Sequence, residues 1–100
     1  VLDASAMPLL PEARDMARMG IIPAGAYDNR RYLDGMVRVD PALPLDLLDT
    51  LYDPQTSGGL LISLPEREAL QLLSRLQDLL PCAALVGRVL PPGDHPLLVE

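Results

Sequence analysis

The residues best suited to chemistry in this sequence stand in a turn at Asp53–Gly59, which opens directly into an apolar run. Pro54 fixes its own φ, and the paired glycines accept positive φ and carry no side chain that would keep a ligand away. The amide of Gln55 and the hydroxyls of Thr56 and Ser57 stand beside the two glycines. Such a turn is typical either of a loop that satisfies its own backbone or of an anion contact through N–H groups and hydroxyls. The candidate substrate-binding or anion-binding residues are Gln55, Thr56, Ser57, Gly58 and Gly59.

A second glycine-containing segment, Gly20–Ala26, lies upstream and is followed by Asn29 and Arg30. Asn29 offers an amide, and Arg30 is a candidate for a phosphate contact. A surface ion pair is the commoner role for such an arginine, so both interpretations of Arg30 stay open. Asn29 and Arg30 therefore join the candidate anion-binding set.

The elements that must position these residues alternate between helices and strands. Helices are predicted at Pro8–Met19, Pro44–Leu51 and Pro65–Leu80, with a turn or single helical turn at Asp28–Leu33. Strands are predicted at Met36–Val39, Leu60–Leu64, Ala83–Leu90 and Leu97–Val99. The pattern is α/β.

Two of these elements carry more detailed expectations. Leu60–Leu64 is apolar at nearly every position, which favours a central strand covered on both faces. In the Pro44–Leu51 helix, the spacing of the leucines leaves Asp46 and Asp49 facing water. A chain of this size is also expected to bury roughly two-thirds of its unfolded surface.

Composition excludes several classes of function. The net charge is −6 and all eight basic residues are arginine, which opposes nucleic-acid binding and rules out chemistry that needs a lysine. No apolar run is long enough to span a membrane, so a cytoplasmic protein is expected. Cys82 is predicted to be a buried small hydrophobe, and His95 a solvated loop residue. One cysteine and one histidine are too few for a zinc site, so no metal site is expected.

Both glycine segments resemble signatures of one family. Asp53–Leu61 resembles a sequence near the C-terminus of selenophosphate synthetase, also called selenide, water dikinase. Gly20–Ala26, with Asn29, is similar to the family's Gly-x-Val-Pro-Gly-Gly-Thr segment and the asparagine that follows it. Ala24 and Ala26 depart from that pattern, because the family usually has glycine and threonine there. The resemblance spans essentially all 100 residues but only the last part of the family's chain.

The resemblance implies a fold and a function. Residues 1–100 would be a single partial domain, the latter part of an aminoimidazole ribonucleotide synthetase-like C-terminal domain, with a mixed sheet backed by helices. The parent enzyme would be an ATP-dependent dikinase that makes selenophosphate from ATP, selenide and water, with magnesium. Its reactive cysteine or selenocysteine, its lysine and its metal-binding aspartates belong to motifs absent here. The fragment would therefore hold no catalytic residue and no cofactor, and its role would be structural and dimer-supporting.

Partners follow from the same resemblance. The N-terminal ATP-binding domain of the parent is one expected partner, and an incomplete sheet implies at least a homodimer, including one formed by segment exchange. A stand-alone, non-catalytic binding or oligomerisation module of the same fold is the alternative. A weaker alternative is that the chain comes from a relative in the same ATP-using superfamily, such as a thiamine-phosphate kinase or a hydrogenase maturation protein. Whether the chain itself is an enzyme stays open.

Overall fold

Residues 1–100 are described by a computed structural model that contains four α-helices, a short 3-10 helix and two strands. The helices are α1 (Ala13–Arg18), α2 (Ala24–Tyr32), α3 (Leu45–Leu51) and α4 (Glu66–Gln77), and the 3-10 helix covers Ala4–Ala6. The strands are β1 (Val37–Val39) and β2 (Leu97–Val99). The predicted α/β class is confirmed. No helix combines the length and the apolar character needed to cross a bilayer.

The sheet joins the two ends of the chain. β1 and β2 are parallel, with Val37 opposite Leu97. The N-terminal residues run along the other side of β2, where the Leu2 N–H donates to the Leu98 carbonyl at 2.8 Å. Leu2 also forms an antiparallel bridge with Gly87. Gly87 is needed there, because a Cβ would overlap the Val1 carbonyl oxygen. The pairing is therefore mixed in direction.

A small core lies between the sheet and α3. Its buried members are Ala4, Leu47 and Val99, and partly buried side chains pack around them. α1 packs against the outer side of α3. The surrounding partly buried residues are Leu9, Val37, Val39, Leu43, Leu51 and Leu97.

Two helices differ from their predicted bounds for local reasons. α1 begins at Ala13 instead of near Pro8, because Glu12 adopts a left-handed φ of 62° immediately before it. α2 begins at Ala24, directly after Pro23, and is longer than the single turn expected at Asp28–Leu33. The second half of the Gly20–Ala26 segment is therefore helical.

Two other predictions are confirmed. α4 lies within its predicted range. Gly20 follows α1 with a φ of 76°, the left-handed conformation that commonly ends a helix.

Two predicted strands are absent. Leu60–Leu64 has no strand structure, and the exposed fractions of Leu60 and Leu61 are 90% and 73%. Within Ala83–Leu90 only Gly87 forms a bridge, so the prediction of a strand through that range is also wrong. Leu60–Leu64 has no backbone partner within the chain, whereas in the Ala83–Leu90 range only Val86–Arg88 meets the N-terminal residues, as in the bond from the Asp3 N–H to the Val86 carbonyl at 2.9 Å, so pairing is confined to that short stretch. Cys82 is exposed instead of buried, so that prediction is wrong as well.

The molecule presents an unusually large surface for its size. Its accessible area is 7739 Å², whereas a compact protein of this mass exposes about 5,500 Å². The chain thus buries about half of its unfolded surface instead of the expected two-thirds. The radius of gyration, 14.5 Å, exceeds the about 13 Å typical of 100 residues. The exposure is spread along the chain, because only five of the 100 residues are buried and α4 contains none of them.

Candidate functional site

The structure brings the two glycine segments together. The Asn29 side chain on α2 donates from Nδ2 to the Tyr52 carbonyl oxygen at 2.9 Å, in a partly buried position. Gly25, one turn earlier, faces the Pro54 ring, and a Cβ at Gly25 would lie 2.9 Å from Pro54 Cγ. α2 therefore supports the chain just where it enters the turn, and Gly25 is explained by close packing and not by contact with a ligand.

The turn itself is exposed throughout Gln55–Gly59. The Gln55 side chain covers Gly58, since a Cβ at Gly58 would lie 2.6 Å from Gln55 Oε1, whereas nothing lies within 4 Å of the same position at Gly59. Neither glycine uses a positive φ. Open backbone at Gly59 is thus the part of the turn that a ligand would approach most closely.

A groove of about 520 Å³ runs beside the turn. Its floor is apolar, formed by α1 and the segments on either side of that helix. Its rim near the turn carries two carboxylates, Asp49 and Asp53, and no basic side chain lines it. Asp49 is paired with Arg30, so an anion approaching from this side would meet the charge of Asp53, and the groove face of the turn does not favour the predicted anion chemistry. The candidate residues that line the groove are Gln55, Ser57, Gly58 and Gly59.

Arg30 does not line the groove beside the turn. Its Nη1 is 3.5 Å from Asp49 Oδ1, and its side chain is 46% exposed. It lines a second groove, of about 400 Å³, that does not include the turn. The ion-pair interpretation of Arg30 is therefore the one the structure shows, and the candidate set does not converge on one cavity.

Asp46 is the best-connected charged residue of this region, and the sequence interpretation missed it. Its carboxylate accepts from Arg14 Nε at 2.7 Å and pairs with Arg18 Nε at 3.3 Å, and its side chain is only 12% exposed. The expectation that Asp46 and Asp49 face water is wrong, because both carboxylates point to arginines of neighbouring helices. Two arginines four positions apart on α1 were the available signal, since they share one helix face.

These contacts change the acidity of Asp46. The hydrogen bond from Arg14 holds the pKa of the Asp46 carboxyl below its ordinary value, and the charges of Arg14 and Arg18 act in the same direction. The carboxylate therefore stays charged and keeps α1 fixed to α3, which forms one wall of the groove.

Comparison with known proteins returns selenide, water dikinases. The enzyme of Clostridium botulinum strain Eklund 17B is 44% identical over 97 residues, which is 97% of this chain and 28% of the relative. That of C. botulinum strain Alaska E43 is 46% identical over 94 residues, 94% of this chain and 27% of the relative. The resemblance to selenide, water dikinases is confirmed. A third relative, from Caldanaerobacter subterraneus, is 42% identical over 99 residues, 98% of this chain and 28% of its own length.

The similarity to these dikinases covers both glycine segments, because it extends over nearly the whole chain. The chain spans little more than a quarter of the length of these relatives, as a C-terminal piece of such an enzyme would. No protein-family model matches, and no solved structure matches. No cluster of three or more His, Cys, Asp or Glu side chains is arranged to hold a metal ion.

Proposed function

We propose that this chain is the C-terminal part of a selenide, water dikinase, and that the complete enzyme makes selenophosphate from ATP, selenide and water. The observation that carries the proposal is the continuous similarity, at 42–46% identity over nearly the whole chain, to three enzymes of that name. The union of α2 with the Asp53–Gly59 turn supports it, because the two signature segments form one structural unit.

The role of this piece in the enzyme is structural. The groove beside the turn carries carboxylates and no basic side chain, so it is poorly suited to hold the phosphates of ATP. ATP and magnesium would be bound by the N-terminal domain, which is the partner of this piece in the complete cytoplasmic enzyme. The alternative, a stand-alone binding module, requires a ligand that the turn holds by itself.

A chimera tests the parent activity. The segment of the C. botulinum Eklund 17B enzyme that matches this chain is replaced by the chain, and selenide-dependent formation of AMP from ATP is measured. We expect the chimera to retain activity within about tenfold of the natural enzyme and the 100-residue chain alone to have none. An inactive chimera with native circular dichroism contradicts the family assignment, and turnover by the chain alone contradicts the structural role.

Calorimetry separates the structural role from the binding module. ATP with magnesium, and separately AMP and phosphate, are titrated into the purified chain. We expect no saturable heat. Saturable binding that is lost in Ser57→Ala, and retained in Ser74→Ala on the exposed side of α4, would make the turn a site and favour the alternative.

A homodimer is a further part of the proposal. β1 lies at the free edge of the sheet, because it pairs only with β2, and such an edge can accept a strand from another copy. Sedimentation of the chain at high micromolar concentration tests this directly. A sharply monomeric species there contradicts self-association through the β1 edge.

A further inference from the structure

The turn that joins α2 to β1 contains Asp34 and Gly35, the one place in this chain where an aspartate or asparagine precedes a glycine. Both residues are exposed. Gly35 has a φ of 77°, a conformation that a residue with a side chain rarely adopts. Nothing lies within 4 Å of the position that a Cβ would take on Gly35. The peptide bond between the two residues is therefore free of steric cover.

The two groups beside this peptide bond are also without partners. The Asp34 carboxylate makes no hydrogen bond and no ion pair. The Gly35 N–H donates to no backbone carbonyl. Because neither group is held in place, rotation about single bonds can bring the Gly35 nitrogen to Cγ of Asp34.

The other aspartates each lack one of these conditions. Asp40 and Asp53 precede prolines, which have no N–H. The N–H that follows Asp3 donates to the Glu100 carbonyl at 2.8 Å, and the N–H that follows Asp78 donates to a helix carbonyl at 2.9 Å. Four more lie within helices, where the backbone is fixed: Asp15, Asp28, Asp46 and Asp49.

Asp94 is the remaining aspartate and serves as an internal comparison. It is exposed like Asp34. It precedes His95, whose side chain hinders approach to the backbone nitrogen, whereas Gly35 has no side chain. Asp34 therefore stands alone in combining exposure, a free carboxylate and an unhindered, unbonded nitrogen after it.

We propose that the bond between Asp34 and Gly35 is a site of spontaneous backbone isomerisation. The Gly35 nitrogen attacks Cγ of the protonated Asp34 carboxyl. An N–Cγ bond forms, and the hydroxyl leaves as water with the proton of the amide, which gives a five-membered cyclic imide. Water then adds to the backbone carbonyl carbon of Asp34, and the bond from that carbon to the nitrogen breaks. The chain now runs through Cγ, the former backbone carbonyl is a free carboxylate, and the total mass is unchanged.

The product alters the connection between α2 and β1. The N–H groups of Met36 and Val37 donate to the Leu33 carbonyl at 3.0 and 3.3 Å, so both hydrogen bonds span the reacting bond. Isomerisation inserts one more carbon into the backbone between these donors and their acceptor. β1 begins at Val37, so its position relative to α2 depends on this turn. The isomerised chain is therefore expected to be less stable.

Incubation in water enriched in oxygen-18 tests the proposal. The purified chain is kept at pH 7.4 and 37 °C, then unfolded and digested with trypsin in ordinary water. Electron-transfer fragmentation of the peptide 32–38 distinguishes isoaspartate from aspartate, and the peptide 89–100 reports on Asp94. We expect isoaspartate at position 34 to form at least tenfold faster than at position 94 and to carry oxygen-18. Equal rates at the two positions would overturn the proposal.

A free peptide with the sequence of residues 32–38 shows whether the fold leaves the site open. We expect the rate in the folded chain to lie within tenfold of the rate in the peptide, because neither reacting group is held. A rate more than tenfold slower in the folded chain would mean that the fold protects the bond and would overturn the proposal. The result is independent of the enzyme assignment, because the reaction needs only the chain and water.

Matched variants identify the reacting atoms. Asp34→Glu keeps the charge but requires a six-membered ring, so no isomerisation is expected at position 34. Asp34→Asn should react at least tenfold faster, because ammonia replaces hydroxide as the leaving group. Isomerisation that persists in Asp34→Glu would overturn the mechanism.

Urea titration measures the consequence for the fold. The isomerised chain, separated by chromatography, should have a midpoint lower by about 0.5–1 M, because two turn hydrogen bonds are disturbed. Asp34→Glu incubated in the same way should keep the midpoint of its fresh sample. An unchanged midpoint in the isomerised chain would contradict the role of this turn in placing β1.

Discussion

Asp46 shows how a single side chain can fix two helices whose own contacts are modest. α1 has no buried residue, yet it is held against α3 because Arg14 and Arg18 both direct their guanidinium groups to the same carboxylate. Arg14 Nε donates at 2.7 Å, the geometry of a strong charge-assisted hydrogen bond. Removing the charge of Asp46 would leave two arginines without their common partner.

We expect Asp46→Asn to destabilise the chain in a pH-dependent way. The pKa of Asp46 is lowered in the folded state, chiefly by the Arg14 hydrogen bond. In the unfolded chain the pKa of this carboxyl has its ordinary value of about 3.9. The stabilisation is therefore fully present above about pH 4 and is lost as the pH falls through the folded pKa. Urea midpoints of the two proteins should differ at pH 6 and converge below about pH 4.

The control for this prediction is Asp28→Asn. Asp28 pairs with Arg31 on the same helix, and its side chain is 70% exposed, so its loss should change the midpoint little. A difference between Asp46→Asn and the natural chain that grows toward low pH would contradict the assigned role of the carboxylate.

Asn29 supports a second residue-scale prediction. Its amide donates to the partly buried Tyr52 carbonyl at 2.9 Å, so Asn29→Asp removes the donor at nearly constant shape and places a negative charge near an acceptor. We expect a loss of about 1–3 kcal/mol in the free energy of unfolding by urea titration. Gln77→Glu makes the same chemical change at an exposed amide–carbonyl contact of 3.1 Å and should cost less than about 0.5 kcal/mol. Equal losses would contradict the positioning of the turn by Asn29.

At the scale of elements, α2 and the turn form a unit through a contact that only glycine permits. Gly25→Ala improves helix propensity by up to about 1 kcal/mol, but its Cβ would meet Pro54 Cγ at 2.9 Å. Because the pyrrolidine ring is rigid and close to the backbone, we expect net destabilisation of about 1–2 kcal/mol.

A double-mutant cycle identifies the cause of that loss. Pro54→Ala removes the ring, so Gly25→Ala should become neutral or stabilising in the Pro54→Ala background, a coupling of more than about 1 kcal/mol. Additive effects would show that the methyl group collides with something other than Pro54. The free energy of unfolding from urea titration is the measurement for all four proteins.

The strands that were predicted correctly are those whose partners lie within these 100 residues. Leu97–Val99 becomes a strand because β1 and the N-terminal residues pair with it on both sides. Leu60–Leu64 has an equally strong apolar pattern but no backbone partner, so its strand does not form. Pattern therefore predicted which segments are able to form strands, while the presence of a neighbouring strand decided which did.

The same distinction applies to the candidate site. Composition and spacing identified Asn29 and the Asp53–Gly59 turn, which the fold brings together. The long-range pairs of Asp46 and Asp49 depend on how α1 and α2 approach α3, which no local spacing specifies. Anion binding by the turn stays a prediction, tested by the calorimetry described above.

α4 should be the least protected helix of the isolated chain. It contains no buried residue and, unlike α1, does not pack closely against another helix or strand, and local opening costs little where few contacts hold an element. Trypsin cuts only at arginine here, since the chain has no lysine. We expect the first cleavages at Arg67 and Arg75 and slower cleavage at Arg14, which is held by Asp46. Initial cleavage at Arg14 would contradict this order of stability.

The large exposed surface is a property of the whole molecule, and its consequence appears in the response to denaturant. The slope of unfolding free energy against urea scales with the area newly exposed on unfolding. Because the folded chain already exposes 7739 Å², unfolding should reveal about a fifth less area than for a compact protein of equal mass. The slope should be lower by about the same fraction.

Urea titration followed by circular dichroism measures this slope, and Leu61→Asp provides the control. Leu61 is already 73% exposed, so the substitution should leave the slope of the isolated chain unchanged. A slope typical of a compact 100-residue domain, reduced by Leu61→Asp, would mean that Leu60–Leu64 and α4 fold onto the molecule in solution. A low slope unaffected by the substitution is what an exposed Leu60–Leu64 segment requires.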